Sequence, residues 1–208
     1  MKKDAKKEKI ADDKQTRYFM FAIIAIVVFI ALLLSAKYFF PQKPQIQSYS
    51  YNNFIFTNVT GLWYTEILKA GTNDVYKVPL HFGPRDLQDI SIEGDVNSFK
   101  NNTKVYITFE PNGTDFSFIA LAASELSINL AQTLNITPVA ACTNNESDAC
   151  QGRPAVNCKE YGEPAIYLRY DNQTRIHVEN NCIFLEGQGV EVVRAADRLL
   201  LKWFSVMP

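Results

Sequence analysis

The 208 residues carry 21 Lys+Arg against 22 Asp+Glu, and residues 38–208 alone hold 13 basic and 18 acidic side chains, so nothing basic there invites nucleic acid. Only two histidines occur, and no G-x-S-x-G, H-E-x-x-H or P-loop pattern is present, which excludes the commonest signatures of hydrolases, metalloproteases and nucleotide-binding enzymes. The chain has no internal repeat and no low-complexity segment.

The N-terminal tail "MKKDAKKEKIADDKQTR", residues 1–17, has seven Lys/Arg and four Asp/Glu. It precedes "YFMFAIIAIVVFIALLLSA", which is uncharged from Tyr18 to Ala36. Nineteen helical residues rise roughly 28 Å, close to the ~30 Å hydrocarbon core of a bilayer. Tyr18, Phe19, Tyr38, Phe39 and Phe40 mark the ends with aromatic rings, and Pro41 stops the helix. A transmembrane signal-anchor helix over residues 18–40 is therefore expected, with the lipid bilayer as its first partner. Lys37 and Lys43 are the only basic residues between the apolar run and residue 60, so the positive-inside rule puts residues 1–17 in the cytoplasm and the rest outside. Ser35 and Ala36 leave a cleaved signal peptide as the alternative, opposed by the length of tail and apolar run.

Residues 41–53, "PQKPQIQSYSYNN", contain two prolines and no apolar periodicity, and read as a stalk. Residues 54–208 have the size of one domain. "NFIFTNV" is a short strand, and "LWYTEIL" and "VYKVPLHF" flank the turn-rich "KAGTND" as a hairpin. In its second arm Tyr76, Val78, Leu80 and Phe82 share one face, leaving Lys77, Pro79 and His81 on the other. Pro79 has no N–H to give a ladder, which predicts an edge strand or a bulge. "GPRDLQDI" is expected as a single helical turn, where Arg85 is a minor candidate for clamping an anion.

"KVYITFE" places Val105, Ile107 and Phe109 on one face of a half-buried strand. "DFSFIALAASELSINLAQTL" has Ile119, Ala122, Leu126, Leu130 and Leu134 at helical spacing, with Asp115 or Thr114 to cap it. Glu125, Asn129 and Gln132 argue against a second membrane span. "ITPVAAC", "PAIYLRY", "TRIHV" and "CIFLE" follow as strands, with "DNQ" and "ENN" as tight turns. "GQGVEV" at 187–192 stands between strand and helix; Val192 replaces the third glycine of a dinucleotide-binding turn, so it is taken as a plain glycine-rich joint. The final "GVEVVRAADRLLLKWF" is amphipathic, with Glu191, Arg194, Arg198 and Lys202 on a polar stripe.

All four cysteines, Cys142, Cys150, Cys158 and Cys182, lie beyond the expected anchor. Their spacing suits neither zinc, which favours pairs two to four residues apart, nor a C-x-x-C redox site, so structural disulfides are expected. Three pairings are open, and proximity favours Cys142–Cys150 with Cys158–Cys182. Six Asn-X-Ser/Thr sequons (Asn58, Asn101, Asn112, Asn135, Asn145 and Asn172) exceed the roughly two expected by chance and are candidate glycosylation sites. Pro138 weakens the case for Asn135. His177, between Ile176 and Val178, is expected to face solvent beside Arg175. Neither histidine shows a partner in the sequence, and no metal or cofactor is expected.

From residue 104 the order strand, helix, strand, loop, strand, strand, helix resembles thioredoxin-like domains, and Pro164 precedes a strand as a proline does in that family. The resemblance covers the C-terminal half and is one of element order. The helix start reads "PNGTDF", without C-x-x-C, so redox chemistry does not carry over. The expected fold class is α+β, a mixed sheet with two main helices, plus the N-terminal transmembrane helix. The expected role is that of a single-pass envelope protein of the cell membrane whose extracytoplasmic domain binds another envelope or membrane protein without catalysis. The alternative is a membrane-tethered enzyme or redox-assisting factor with a degenerate thioredoxin-like domain.

Overall fold

The computed structural model describes residues 18–33, 35, 47–111, 113, 115–159 and 162–208. The chain forms two units, 1–45 and 46–208. In the first, α1 (18–33) is apolar from end to end and exposed throughout. Sixteen residues rise only about 24 Å, and among the described residues no helix is long and apolar enough to cross a membrane. The remainder of the expected span, residues 34 and 36–40 apart from Ser35, lies outside the described residues, as do the tail 1–17 and positions 41–46.

The second unit is a mixed α+β domain with two sheets. An antiparallel meander runs β1 (Gln47–Tyr51), β2 (Phe54–Val59), β3 (Leu62–Leu68) and β4 (Val75–Leu80) in chain order. The end of the expected stalk is thus strand: Tyr51 pairs with Phe54 across Asn52 and Asn53. Both asparagines have positive φ (45° and 67°), the conformation that two-residue hairpin turns require. Alternating Tyr49 and Tyr51 pack on the core, a period of two hidden by the serines between them. The expected β3–β4 hairpin forms with Leu68 opposite Val75, and Pro79 sits on an edge strand as its missing N–H demands. Pro84–Asp86 is the expected single turn, a 3-10 one.

The second sheet has six strands in the order β5-β9-β10-β8-β6-β7: β5 (Ile92–Glu93), β6 (Lys104–Phe109), β7 (Thr137–Ala140), β8 (Ala165–Tyr170), β9 (Arg175–Glu179) and β10 (Cys182–Gly187). β7, β6, β8 and β10 are mutually parallel, whereas β9 is antiparallel to β10. β10 inserts between β8 and β9, so the "DNQ" link joins strands that do not pair, while "ENN" closes the β9–β10 hairpin. β6 is buried on both faces rather than one, because it lies inside the sheet.

Helices α2 (Phe116–Asn129) and α3 (Glu191–Trp203) lie between the sheets. One core cluster joins Phe56, Val78 and Leu80 of the meander to Leu126 and Leu200 of the helices and to Ile107, Ile166 and Leu185 of the second sheet. α2 continues into a π-helical turn, Leu130–Leu134, that ends at Asn135 in the left-handed conformation. α3 is buried over most of its surface: Arg198, expected on a solvent stripe, is buried, and Glu191, Arg194 and Lys202 are only part-exposed. Asp115 precedes α2 but does not cap it; its carboxylate accepts from Gly189 N at 2.8 Å and ties the starts of the two helices together. Thr114 lies outside the described residues.

The disulfides are Cys142–Cys150 and Cys158–Cys182, with Cα separations of 6.0 and 5.9 Å. All four cysteines are buried. Closing the shorter loop is worth about 2.5 kcal/mol and the longer about 3.5 kcal/mol in the chain-entropy model. Denaturant melts should show Cys158→Ser with Cys182→Ser as the costlier pair of replacements, and the reverse order would show that local packing outweighs loop closure. At Gly187 an added Cβ would sit 2.7 Å from the Glu191 backbone carbon, at the root of α3. Gly187→Ala should lower stability by about 2 kcal/mol, whereas Gly162→Ala, with open space around it, should leave the thermal midpoint unchanged.

Candidate functional site

Two clusters of ionisable side chains form where elements meet. The first is built on the end of β4. His81 is about one-third exposed, and its Nδ1 lies 3.0 Å from Glu125 Oε2 of α2. The His81 amide donates to Glu125 Oε1 (3.2 Å), and the Phe82 amide donates to Asp197 Oδ2 of α3 (2.7 Å). An edge strand leaves backbone groups without a ladder partner, and here two carboxyl groups accept them. Asp197 is wholly buried. Burial first, then the Glu125 carboxylate beside it, push its pKa well above the usual carboxylate range; the amides of Phe82 and His81 act in the opposite sense. The cluster is therefore two carboxyl groups, Asp197 and Glu125, sharing a site in which burial favours the proton on Asp197, with an imidazole at the surface end.

An imidazole held through Nδ1 by a carboxylate has the form of a general base. A reacting group also needs a place to bind. Three concavities of the described residues are lined by other side chains: one beside α2, one between β2 and β3, and one by residues 205–208. His81 thus joins the meander to the helices, and its geometry alone assigns no reaction.

The second cluster lies on the side of the six-stranded sheet away from the helices. Glu186 of β10 is fully buried and stands in register with Arg169 of β8 and Arg175 of β9, both of which pair with its carboxylate. His177, expected at the surface, is largely buried. It stacks on Phe184 with ring centroids 4.7 Å apart, while Arg169 lies over the same ring at 4.9 Å. Burial, then Arg175 and Arg169, lower the pKa of His177, so the ring is neutral at physiological pH. Each oxygen of Glu186 is paired with a guanidinium group, so its carboxylate serves to hold β8, β9 and β10 together.

The remaining sequence candidates fall elsewhere. Arg85 lies over the Tyr49 ring (4.0 Å), in a 3-10 turn of three residues, and faces no anion site. In "GQGVEV" β10 ends at Gly187 and α3 begins at Glu191, as expected of a strand-to-helix joint. Its neighbour β8 is parallel, not antiparallel, yet the Gly189 amide that a phosphate would need is taken by Asp115. Asn101, Asn135, Asn145 and Asn172 are exposed, Asn58 is half-buried near the end of β2 with its Oδ1 accepting from Gly61 N of the following turn, and Asn112 lies outside the described residues. No group of three or more metal-ligating side chains occurs among the described residues.

These features define a disulfide-bonded α+β domain whose ionisable clusters are turned inward. No family model, curated protein or solved structure matches this chain. Glu125 carried a local signal that the sequence reading passed over, since it and Asn129 follow Ala122 and Leu126 by three residues on the apolar stripe. The Arg169–Glu186–Arg175 set had none, because strand register brings it together.

Asp197 gives a pH test. Its folded pKa is raised, so the stability contributed by its proton is complete below about pH 4 and is lost as the pH climbs through the folded value. Asp197→Asn keeps an acceptor for Phe82 and a donor toward Glu125 but cannot ionise. Thermal melts from pH 4 to 9 should show this variant overtaking the parent at the alkaline end. Asp197→Ala, which orphans the Phe82 amide, should lose about 1–3 kcal/mol.

Proposed function

We propose that the protein is a single-pass, membrane-anchored envelope protein with a cytoplasmic N-terminus. Its extracytoplasmic domain binds another envelope or membrane protein, without catalysis. The observation that carries the binding role is the outer face of the meander. Ile55, Leu68 and Val75 are each more than half exposed there, and Val59 more than a third. Leu68 and Val75 are cross-strand neighbours, so the exposure is contiguous at that end. Exposed apolar area of this kind on a domain that has an ample core elsewhere marks interaction surfaces.

The anchor is supported by the apolar run 18–36, of which 18–33 is helical with its side chains outward, and by the charge of residues 1–17. Two buried disulfides fit an oxidising compartment, and the exposed sequons fit glycan attachment there. The rival reading, a tethered enzyme or redox-assisting factor, would draw on His81 and Glu125. We set it second because none of the three concavities described above is lined by that pair and because neither disulfide is exposed for exchange.

A photo-crosslinking residue at Ile55 or Leu68 in the membrane-embedded chain should capture a discrete partner. Leu68→Asp with Val75→Asp should abolish that capture while moving stability by no more than about 0.5 kcal/mol. Equal capture from Lys100, remote from this face, would refute the assignment.

A further inference from the structure

α2 borders a groove of about 240 Å3 against the ends of β6 and β7, on a different surface from the meander face. Ile107, Phe109 and Ile119 form part of its lining, Phe116 is half exposed beside them, and Ala120 and Ala123 keep it open by their small size. The two serines of the groove offer it no free hydroxyl hydrogen: Ser124 Oγ donates to Leu121 O (2.8 Å) and Ser127 Oγ to Ala123 O (2.6 Å). The lining is chemically apolar with one exception, Arg153.

Arg153 is held in place by the cysteine loop. Its amide donates to Cys150 O (3.1 Å), Cys142 N donates to Pro154 O (3.1 Å), and Val156 N donates to Cys142 O (2.7 Å). The Cys142–Cys150 disulfide closes the same segment. The loop therefore presents a single cation on an apolar slot, and the guanidinium makes no ion pair or hydrogen bond with a described residue. An isolated cation beside desolvated hydrocarbon attracts an anion that carries its own apolar surface.

We propose that this groove binds a single-chain amphiphile with an anionic head, an alkyl carboxylate, its tail along α2 and its head at Arg153. At ~30 Å3 per water-sized group the space holds about eight such groups, which fits a chain of about eight to twelve carbons. Each added methylene should strengthen binding about fourfold until the groove is full. The role of the first disulfide is then to place Arg153 as well as to close its loop.

The test uses the full chain in lipid nanodiscs and a dodecanoic acid carrying a terminal diazirine, with labelled residues located by mass spectrometry. Labelling should fall on Phe116, Ala120, Ala123 or Ala140 and should be competed by unlabelled dodecanoate. Arg153→Gln, which removes an exposed side chain with no ion pair or hydrogen bond to a described residue, should reduce it about tenfold, and Ala123→Trp should block it. A diazirine amine of the same length should leave the groove unlabelled. Labelling confined to residues 18–33, or equal labelling by acid and amine, would overturn the proposal. Because the groove and the meander face share no residue, loss of partner capture at Leu68 leaves this result unaffected, and the converse holds.

Discussion

Helix α3 buries most of its surface, and it carries Asp197 and Arg198 with it. Moving unpaired charge out of water costs several kcal/mol per ion, so a helix of this composition can sit between two sheets only if its ionisable groups are neutralised or bonded. Asp197 meets that condition by holding its proton and accepting the Phe82 amide, beside Glu125. Arg198 meets it in part: Nη2 donates to the carbonyl of Pro208 and burial lowers its pKa, while Nε and Nη1 are buried with no hydrogen-bond partner among the described residues. Each solution recruits a different part of the chain. The end of β4 must lie over α3, α2 must present Glu125 to the same place, and the last residues must fold back along the helix. The layering of meander, helices and second sheet follows from satisfying this one buried element.

The same economy governs the far side of the second sheet. Glu186 is the centre of a set drawn from three strands, and the rings of Phe184 and His177 shield it from water. Groups that look reactive in isolation are occupied in holding strands together. Among the side chains the domain turns outward are several large apolar ones: the meander's Ile55, Leu68 and Val75, and Phe116 with Ile128 on α2. The proposed binding role rests on that exposed hydrocarbon rather than on either ionisable cluster.

The cysteine loop links these two themes. Residues 142–158 are rich in Asn, Asp, Gly and Gln and have little hydrocarbon with which to anchor themselves. Two buried cross-links, the Thr108–Val156 hydrogen bond (2.7 Å) and the short bridge between Cys142 and Ala155 hold the segment at the edge of the sheet. Rigidity obtained in this way positions Arg153, which an unconstrained polar loop would leave to wander.

Much of this was legible in the residues. The β3–β4 hairpin, the edge placement of Pro79, the apolar stripe of α2, the strand-to-helix joint at Gly187 and the two proximal disulfides follow from spacing and turn chemistry, which act over a few residues. Strand β1 was missed because "QSYSY" alternates Tyr with Ser, a weak hydrophobic signal that becomes a strand only when β2 lies beside it. Burial of Arg198 and His177 was misread for a related reason: a polar side chain on a helix or strand is assigned to water unless a second layer is known to cover it. By itself the sequence determined the approximate place of most strands and of α2 and α3, which run is uncharged, and which cysteines lie close enough to join. Only the tertiary structure decided the insertion of β10 between β8 and β9, the meeting of His81, Glu125 and Asp197, and the placing of Arg153 on its groove, because register and layering join residues far apart in the chain through contacts that no local pattern encodes.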